Sequence, residues 1–252
     1  MDIRAYLDRI GYRGPLTPTA ETLRALQVAH LQTVPFENLS IHARQPVVLD
    51  DESLFDKVVA RRRGGFCYEL NGLFAALLRA LGFRVTLLSA GVARADGTFG
   101  PDFDHMALLV TLEERWLADV GFGDSFRDPL RLDERGEQPE GTRAFRIDED
   151  GDGDHLILLR RDGAEEPWQP QYRFTLQPYE YADYAGMCRY HQTSPESHFT
   201  RQTVSSLATP EGRVTLSGMK LITTYGGERH ERILESEAER VALLRELFGL
   251  VV

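Results

Sequence analysis

The 252-residue sequence predicts an α+β fold, in which a helical first third is followed by a region of short antiparallel strands. Two observations predict it. Apolar residues recur at helical spacing up to about residue 83, and beyond that point they alternate in short runs separated by turns rich in Gly and Asp. A mixed region of strands and one helix ends the chain. No linker separates the regions, so we expect them to pack as one body.

Three helices are predicted in the first region. Thr17 and Pro18 form a typical helix start, with a capping hydroxyl followed by proline at the first helical position. A second helix is predicted from residue 51 to about residue 62. The third begins near Cys67, carries an apolar stripe and ends at Gly82, a residue that commonly terminates helices.

The second and third regions contain the predicted strands. The runs "FRVTLLSAGVAR", "HMALLVTL", "RWLADVGF", "HLILLRR" and "YRFTLQPYE" predict an antiparallel barrel or sandwich over residues 83 to 178. Further strands are predicted in "HFTRQTVSSLAT", "GRVTLSGMKLITTY" and "HERILE". Ser236 and Glu239 form a capping box for a final helix that starts at Glu237.

Composition and charge exclude several kinds of partner. The formal net charge is −10, which argues against nucleic acid, because phosphate neutralisation needs a basic face. No apolar run is long enough to cross a bilayer, and the first residues do not resemble a signal peptide. Two cysteines in so long a chain do not make a disulfide framework. We therefore expect a cytoplasmic protein that binds neither membranes nor nucleic acid.

The acidic run "DEDGDGDH" at residues 148 to 155 partly matches a calcium loop. Asp148, Asp150 and Asp152 occupy the first, third and fifth positions, but Leu159 stands where the loop needs a bidentate glutamate. The histidines and cysteines also lack the spacing of zinc ligands. We expect a solvated hairpin turn here and no bound metal.

Cys67 follows a basic run and a glycine pair in "RRRGGFCYELNG". A helix N-terminus stabilises a thiolate, and its free N–H groups can bind the oxyanion of a tetrahedral intermediate. Gly64 and Gly65 would let backbone or substrate approach without a side chain in the way. The alternative is that Cys67 is a small buried hydrophobic residue. Arg61 to Arg63 either contact an anionic ligand or only close the preceding helix.

A base and a carboxylate for such a thiol occur in the strand region. His105 opens an apolar strand in "DFDHMALLV", and Asp119 lies inside the apolar "RWLADVGFGD". A hairpin that turns through residues 111 to 113 would place His105 directly opposite Asp119, close enough for a hydrogen bond. A two-residue turn at 113 and 114 would instead place them on opposite faces.

These stretches resemble the arylamine N-acetyltransferase family. The resemblance lies in "RRRGGFCYELNGLF", "DHMALLV" and "WLADVGFG", with further matches in "VPFENLSIH" and "SHFTRQTVSSLATPEGRVTLSGMKL". It implies an N-terminal helical bundle over residues 1–83, a central antiparallel β-barrel over 84–190 and a C-terminal α/β lid over 191–252. It also implies a cysteine triad like that of papain and transglutaminases.

The resemblance implies an activity and a role for each site residue. Cys67 would carry the acyl group, His105 would act as its base and Asp119 would orient His105. Acetyl-coenzyme A would acetylate Cys67, and an arylamine, arylhydroxylamine or hydrazine would then take the acetyl group, which gives ping-pong kinetics. Three aromatic side chains would line the acceptor cleft: Phe36, Phe122 and Phe199. Neither the oligomeric state nor the position of the coenzyme follows from the sequence.

Other activities use the same three residues. A cysteine hydrolase or a transglutaminase-like enzyme would have the same triad, and an amide synthase of secondary metabolism would differ only in its acyl donor and acceptor. A catalytically silent binding module is a further alternative, against which the intact set of Cys67, His105 and Asp119 argues.

Overall fold

The computed structural model of the chain describes residues 1–151 and 153–251. Its first part is helical, as predicted. The helices of this part are α1 (Ile3–Ile10), α2 (Ala20–Leu31), α3 (Leu39–His42), α4 (Asp51–Phe55) and α5 (Cys67–Ala80). Helix α4 continues as one π-helical turn, Asp56–Ala60, so the second predicted helix is present with a widened C-terminal half.

Helix α2 starts later than the sequence predicted. Thr17 does not cap it, because its carbonyl accepts the N–H of Thr19 in a tight turn before the helix. Thr19 is the cap instead, and its side-chain oxygen accepts the N–H of Thr22 at 3.2 Å. The threonine two residues further on therefore satisfies the free N–H group that a helix start leaves open.

Helix α5 is buried on nearly every side. Leu70, Leu73, Phe74 and Leu77 have no exposed surface, and they belong to the large apolar cluster that the N-terminal helices share with the first strands of the sheet. A helix that is covered all round has its position fixed by several neighbours. Its first residue, Cys67, is thereby held rigidly.

The middle of the chain forms a nearly closed antiparallel barrel of eight strands, which confirms the predicted fold class. Its strands are β2 (Arg84–Val92), β3 (His105–Thr111), β4 (Arg115–Ala118), β5 (Leu130–Arg131), β6 (Gln138–Glu140), β7 (Arg143–Glu149), β8 (Leu156–Arg161) and β9 (Gln169–Phe174). They follow the spatial order β5-β4-β3-β2-β9-β8-β7-β6.

A second antiparallel sheet combines the two ends of the chain. It consists of β1 (Phe36–Glu37), β10 (Val204–Thr209), β11 (Gly212–Ser217), β12 (Lys220–Tyr225) and β13 (Glu228–Ile233), in that spatial order. The strand predicted from His198 is wrong over its first residues, which form the short helix α7 (His198–Arg201) after α6 (Ala185–Thr193). The side chain of Ser197 accepts the N–H of Phe199 and so favours a turn there.

The final helix, α8 (Glu237–Phe248), starts where the sequence predicted. Ser236 caps it by accepting the N–H of Glu239 at 3.2 Å. The carboxylate of Glu239 does not return to the N–H of Ser236, as a capping box requires. It accepts the N–H of Glu235 at 2.8 Å, because its other oxygen is paired with Arg232.

The acidic run of residues 148 to 155 spans the connection between β7 and β8. Its first two residues end β7, and the N–H of Asp150 donates to the carbonyl of His155 just before β8, which agrees with the hairpin turn that the sequence predicted. Asp152, one of the calcium-loop positions, lies outside the described residues. None of the described helices is long and apolar enough to cross a membrane.

His30 is a fully buried histidine of α2. Its Nδ1 lies 2.8 Å from the hydroxyl of Tyr6, and its Nε2 has no hydrogen-bond partner among residues 1–151 and 153–251. Burial, and to a smaller extent the charge of Arg9, lowers the pKa of His30 to about 3. The imidazole is therefore neutral in the folded chain throughout the physiological pH range.

We predict that His30 makes the fold acid-sensitive. An unfolded histidine binds a proton near pH 6.5, whereas the folded one does not, so stability is lost as the pH falls below that value. Between pH 7 and pH 5 this residue should cost about 2 kcal/mol of unfolding free energy. Urea unfolding of the wild type and of His30→Gln at both pH values measures it. An equal loss of stability in the two proteins would contradict the assignment.

Candidate active site

A cavity of about 420 Å³ opens where the helical part, the barrel and the second sheet meet. The residues that line it include a cysteine, two histidines, two aspartates and three phenylalanines: Cys67, His105, His198, Asp104, Asp124, Phe36, Phe122 and Phe199. Two of the three residues of the predicted triad and all three predicted cleft residues therefore face one space.

Cys67 is the first residue of α5, at the helix N-terminus where the sequence placed it. It is 3% exposed. The segment after β4 packs directly on it, since a Cβ atom at Gly121 would lie 2.8 Å from the Cα of Cys67. Glycine at position 121 is thus required for the barrel to approach the first turn of α5.

Gly64 and Gly65 give room to the protein itself, which is one of the two roles that the sequence left open. A side chain at Gly64 would overlap the carbonyl oxygen of Pro35, and a Cβ atom at Gly65 would lie 2.7 Å from the carboxylate of Glu69. Neither glycine is among the residues that line the cavity. Their clearance serves the protein's own packing around the first turn of α5 and not an approaching substrate.

A buried ion pair supports that first turn. Nζ of Lys57 lies 2.7 Å from Oε1 of Glu69, and the two side chains are 9% and 2% exposed. The other oxygen, Oε2, accepts the N–H of Phe66, the residue before Cys67, at 3.1 Å. Burial raises the pKa of Glu69, and the ammonium of Lys57 opposes that shift.

His105 and Asp119 meet, but in a different register from the predicted one. Strands β3 and β4 pair Thr111 with Arg115 and Leu108 with Ala118, so the turn is centred one residue further along the chain. Continued past the end of β4, this register brings Gly121 opposite His105, and Asp119 becomes its diagonal neighbour. A shift of two positions keeps the face, and Nε2 of His105 lies 2.7 Å from Oδ2 of Asp119.

Asp119 is fully enclosed by hydrogen-bond donors. Its Oδ1 accepts the side-chain amide of Asn71 and the N–H of Gly121, both at 2.8 Å. Asn71 is itself held, because it donates to the carbonyl of Met106 at 2.6 Å and accepts the N–H of Val120 at 2.8 Å. A buried carboxylate with three donors has its hydrogen-bonding capacity satisfied and is held in one orientation.

His105 is fixed by aromatic rings as well as by Asp119. The rings of Phe122 and Tyr172 lie 5.1 and 5.2 Å from the imidazole, centroid to centroid. Since Asp119 engages Nε2, the other ring nitrogen, Nδ1, is the one that remains to exchange a proton with a group in the cavity.

Burial raises the pKa of the Cys67 thiol well above its ordinary value. The negative charges of Asp119 and Asp104 act in the same direction, and a backbone hydrogen bond with Met106 opposes them. The helix N-terminus therefore does not by itself keep Cys67 ionised, contrary to what its position in the sequence suggests. A thiolate at neutral pH needs a base that takes the proton.

The aromatic wall of the cavity comes from three separate elements. The rings of Phe36, in β1, and Phe199, in α7, lie 6.1 Å apart, and His198 packs against Phe199 at 3.9 Å. Phe122 completes the wall from the barrel side, next to His105. Flat apolar rings on several sides of a cavity suit a flat aromatic ligand.

The three arginines before the glycine pair do not line the cavity. Arg61 pairs with Asp56 at the end of the preceding helix, at 2.7 Å. Arg63 pairs with the buried Glu37 at 2.8 Å. Arg62 has a positive φ of 54°, and its carbonyl accepts a hydrogen bond from Arg9. Of the two roles that the sequence left open, closure of the helix end is the one that these contacts support.

Sequence reasoning did not identify Asn71 or Asp104 as site residues. Asn71 follows Cys67 by four positions, so the helical period alone places both on one face of α5. Asp104 precedes His105 and faces the same cavity. That fact depends on the backbone conformation of the turn before β3, which no sequence pattern gives.

Comparison with known proteins identifies similar sequences. The N-acetyltransferase family model matches residues 19–252. An arylamine N-acetyltransferase of Mycolicibacterium smegmatis is 37% identical over 257 residues, which cover 99% of this chain and 92% of the relative. Arylamine N-acetyltransferase 1 of Homo sapiens is 35% identical over 273 residues, which cover 99% of this chain and 94% of the relative.

Solved structures are similar over the same length. An arylamine N-acetyltransferase of Mycobacterium tuberculosis superposes with a TM-score of 0.91 at 36% identity, covering 99% of this chain and 93% of that one. The enzyme of Mycobacterium marinum, solved in complex with CoA, gives a TM-score of 0.91 at 35% identity and covers 98% of this chain and 92% of its own.

We predict that Lys57→Met destabilises the fold strongly, because it leaves the buried carboxylate of Glu69 without its cation. The expected cost at pH 7.5 is about 3 to 5 kcal/mol of unfolding free energy. The pKa of Glu69, already raised by burial, rises further without Lys57. As the pH falls towards 4.3, the pKa of an unfolded glutamate, the buried Glu69 carboxylate of the variant binds a proton and loses its unpaired charge. The loss of unfolding free energy relative to the wild type should therefore be smaller at pH 5.5 than at pH 7.5.

The matched control is the double variant Lys57→Met/Glu69→Gln, which keeps an acceptor for the N–H of Phe66 but removes both charges. Urea unfolding should show that it recovers most of the stability lost in Lys57→Met. A double variant as unstable as the single one would show that the pair's charge is not what matters.

Proposed function

The chain belongs to the arylamine N-acetyltransferase family, and we propose that it transfers the acetyl group of acetyl-coenzyme A to an arylamine, arylhydroxylamine or hydrazine through Cys67. The observation that carries this proposal is the hydrogen bond of 2.7 Å between His105 and Asp119 at a cavity that Cys67 and His105 both line. The Mycobacterium marinum relative solved with CoA supports a coenzyme A thioester as the donor.

The first half-reaction acetylates the enzyme. His105 accepts the thiol proton of Cys67 at Nδ1, and the thiolate attacks the carbonyl carbon of the thioester. The tetrahedral intermediate then collapses, the bond from carbon to the coenzyme's sulfur breaks, and the proton held by His105 passes to that sulfur. Coenzyme A leaves as a thiol, and Cys67 remains as an acetyl thioester.

The second half-reaction transfers the acetyl group to the acceptor. The amine nitrogen attacks the acetyl carbon, and His105 takes the proton that this nitrogen loses. When the new intermediate collapses, the bond between carbon and the sulfur of Cys67 breaks, and the proton returns to that sulfur. The amide is released and the thiol is regenerated, which gives ping-pong kinetics.

Asp119 acts through His105 in both steps. It fixes the imidazole so that Nδ1 faces the cavity, and its negative charge stabilises the imidazolium that forms each time a proton is taken. Its own two oxygens are occupied by three donors, so it holds His105 without turning towards the substrate.

Burial of the nucleophile favours transfer over hydrolysis. Cys67 and His105 are 3% and 2% exposed, and three phenylalanines line the cavity with them. An acetyl thioester in such a place meets little water, whereas Phe36, Phe122 and Phe199 attract an aryl amine into contact with it. These three residues are proposed as the acceptor-binding wall.

Mass spectrometry after incubation with acetyl-coenzyme A tests the proposal. We expect a covalent gain of one acetyl group in the wild type and in a Cys188→Ala control, and none in Cys67→Ala. Addition of an arylamine should remove the group and yield the acetylated amine. An unmodified wild type, or an adduct that survives in Cys67→Ala, would refute the assignment of Cys67.

The same experiment tests the alternative activities. A cysteine hydrolase would lose the acetyl group at the same rate with and without amine. An amide synthase would show no acetyl adduct but would accept a different acyl thioester, and a binding module would show neither adduct nor turnover. Each of these outcomes contradicts the proposed acetyl transfer.

A further inference from the structure

We propose that Asp104 is a specificity-determining residue, whose carboxylate on the cavity wall beside His105 makes the site favour neutral or cationic acceptors over acceptors that carry a carboxylate. This inference rests on the proposed acetyl transfer, because it concerns the acceptor of that reaction. It gives a role to a charged group that the triad mechanism leaves unused.

The carboxylate of Asp104 is held in a definite position. It lines the cavity with 18% of its side chain exposed, and its Oδ2 accepts the N–H of Val92 at 3.3 Å. Gly100 packs against the same oxygen so closely that any side chain at position 100 would overlap it. The carboxylate is therefore fixed at the wall and does not swing into solvent.

The turn that presents Asp104 is strained. Phe103 has a φ of 64°, a conformation that a bulky residue rarely adopts. The hydroxyl of Tyr68 donates to the carbonyl of Phe103 at 2.6 Å, and the N–H of Phe103 donates to the hydroxyl of Ser89 at 2.7 Å. Surrounding structure that enforces an unfavourable backbone is typical of functional positions.

Asp104 carries its charge at neutral pH. Burial raises its pKa, but the His191 imidazole and the N–H of Val92 outweigh burial and hold the pKa below its usual range. The one basic side chain within ion-pair distance of Asp104, among residues 1–151 and 153–251, is His191, whose Nε2 lies 3.2 Å from Oδ1. No lysine or arginine of that part of the chain pairs with Asp104.

The other carboxylate on the cavity wall is compensated. Asp124 accepts hydrogen bonds from Arg143 at 2.8 and 3.2 Å and from Arg213 at 3.1 Å, and Arg160 lies 3.7 Å away. Burial lowers the pKa of His198, the further histidine on the wall, so that its ring is neutral at pH 7.5. Asp104 is thus the carboxylate on this wall that no arginine or lysine of the described residues neutralises.

An anionic acceptor must bring its charge close to this carboxylate, in a cavity that the rings of Phe36, Phe122 and Phe199 also line. Repulsion between the carboxylate of Asp104 and an anionic acceptor is much stronger there than in bulk water. Attraction between the same carboxylate and a cationic acceptor is stronger for the same reason. We expect discrimination of about tenfold between two acceptors that differ only in that charge.

The experiment compares two acceptors of nearly equal shape, 4-aminobenzoate, which is anionic, and 4-aminobenzamide, which is neutral. In Asp104→Asn, the ratio of kcat/KM for the anion to kcat/KM for the amide should rise about tenfold over the wild type. Because only the change in this ratio is used, differences in intrinsic reactivity between the two amines cancel. Asp104→Glu, which keeps the charge, should retain the wild-type ratio.

Asp102→Asn is the matched control, because it removes the same charge from an exposed position on the same turn that does not line the cavity. It should leave the ratio unchanged. An unchanged ratio in Asp104→Asn, or an equal rise in Asp102→Asn, would overturn the role of Asp104. Turnover of 4-aminobenzamide reports on the proposed function separately, so failure of the transfer reaction and failure of this inference are distinguishable.

A binding measurement on the wild type keeps the inference testable if Asp104→Asn does not fold. Benzamide and benzoate cannot accept an acetyl group, but either can shield Cys67 from alkylation by iodoacetamide. Benzamide should protect at a concentration about tenfold lower than benzoate. Equal protection by the two compounds would contradict the inference.

Discussion

The hydrogen bond between His105 and Asp119 is the contact around which the site is built. It places a buried carboxylate in the apolar interior, where an ionised group is tolerated only if donors surround it. Asn71 and the N–H of Gly121 are those donors, and both belong to segments that meet Cys67: Asn71 lies one helical turn beyond it, and Gly121 packs on its backbone. The need to satisfy Asp119 therefore also brings Cys67 and His105 to one cavity.

A second buried charge supports the helix turn that begins at Cys67. Glu69, neutralised by Lys57, binds the N–H of Phe66, and Gly65 leaves room for that carboxylate. Together with the complete burial of α5, this pair leaves the first turn little freedom. This rigidity matters for reactivity. Burial raises the pKa of the Cys67 thiol, so the thiol reacts at neutral pH only if a base is held within reach of its proton.

The sequence was sufficient to predict the helical part, the antiparallel barrel, and the positions of Cys67 at a helix start and His105 at a strand start. Helical periodicity, strand alternation and motif resemblance are local signals, so they do not depend on distant residues. The sequence was insufficient where an outcome depends on distant partners. Helix α2 is capped by Thr19 and not by Thr17. The pairing of β3 with β4 differs by two positions from the predicted register, which leaves Asp119 on the same face of the sheet. The sequence left open whether Gly64 and Gly65 make room for backbone or for substrate, because the answer depends on the positions of Pro35 and Glu69.

The central claim is that His105 takes the proton of a thiol that burial would otherwise keep neutral. The most direct test is the rate of Cys67 alkylation by iodoacetamide as a function of pH, in the wild type and in His105→Gln. The wild type should react readily at pH 7, whereas His105→Gln should react appreciably only above the ordinary thiol pKa of about 8.5. Superimposable profiles for the two proteins would contradict it.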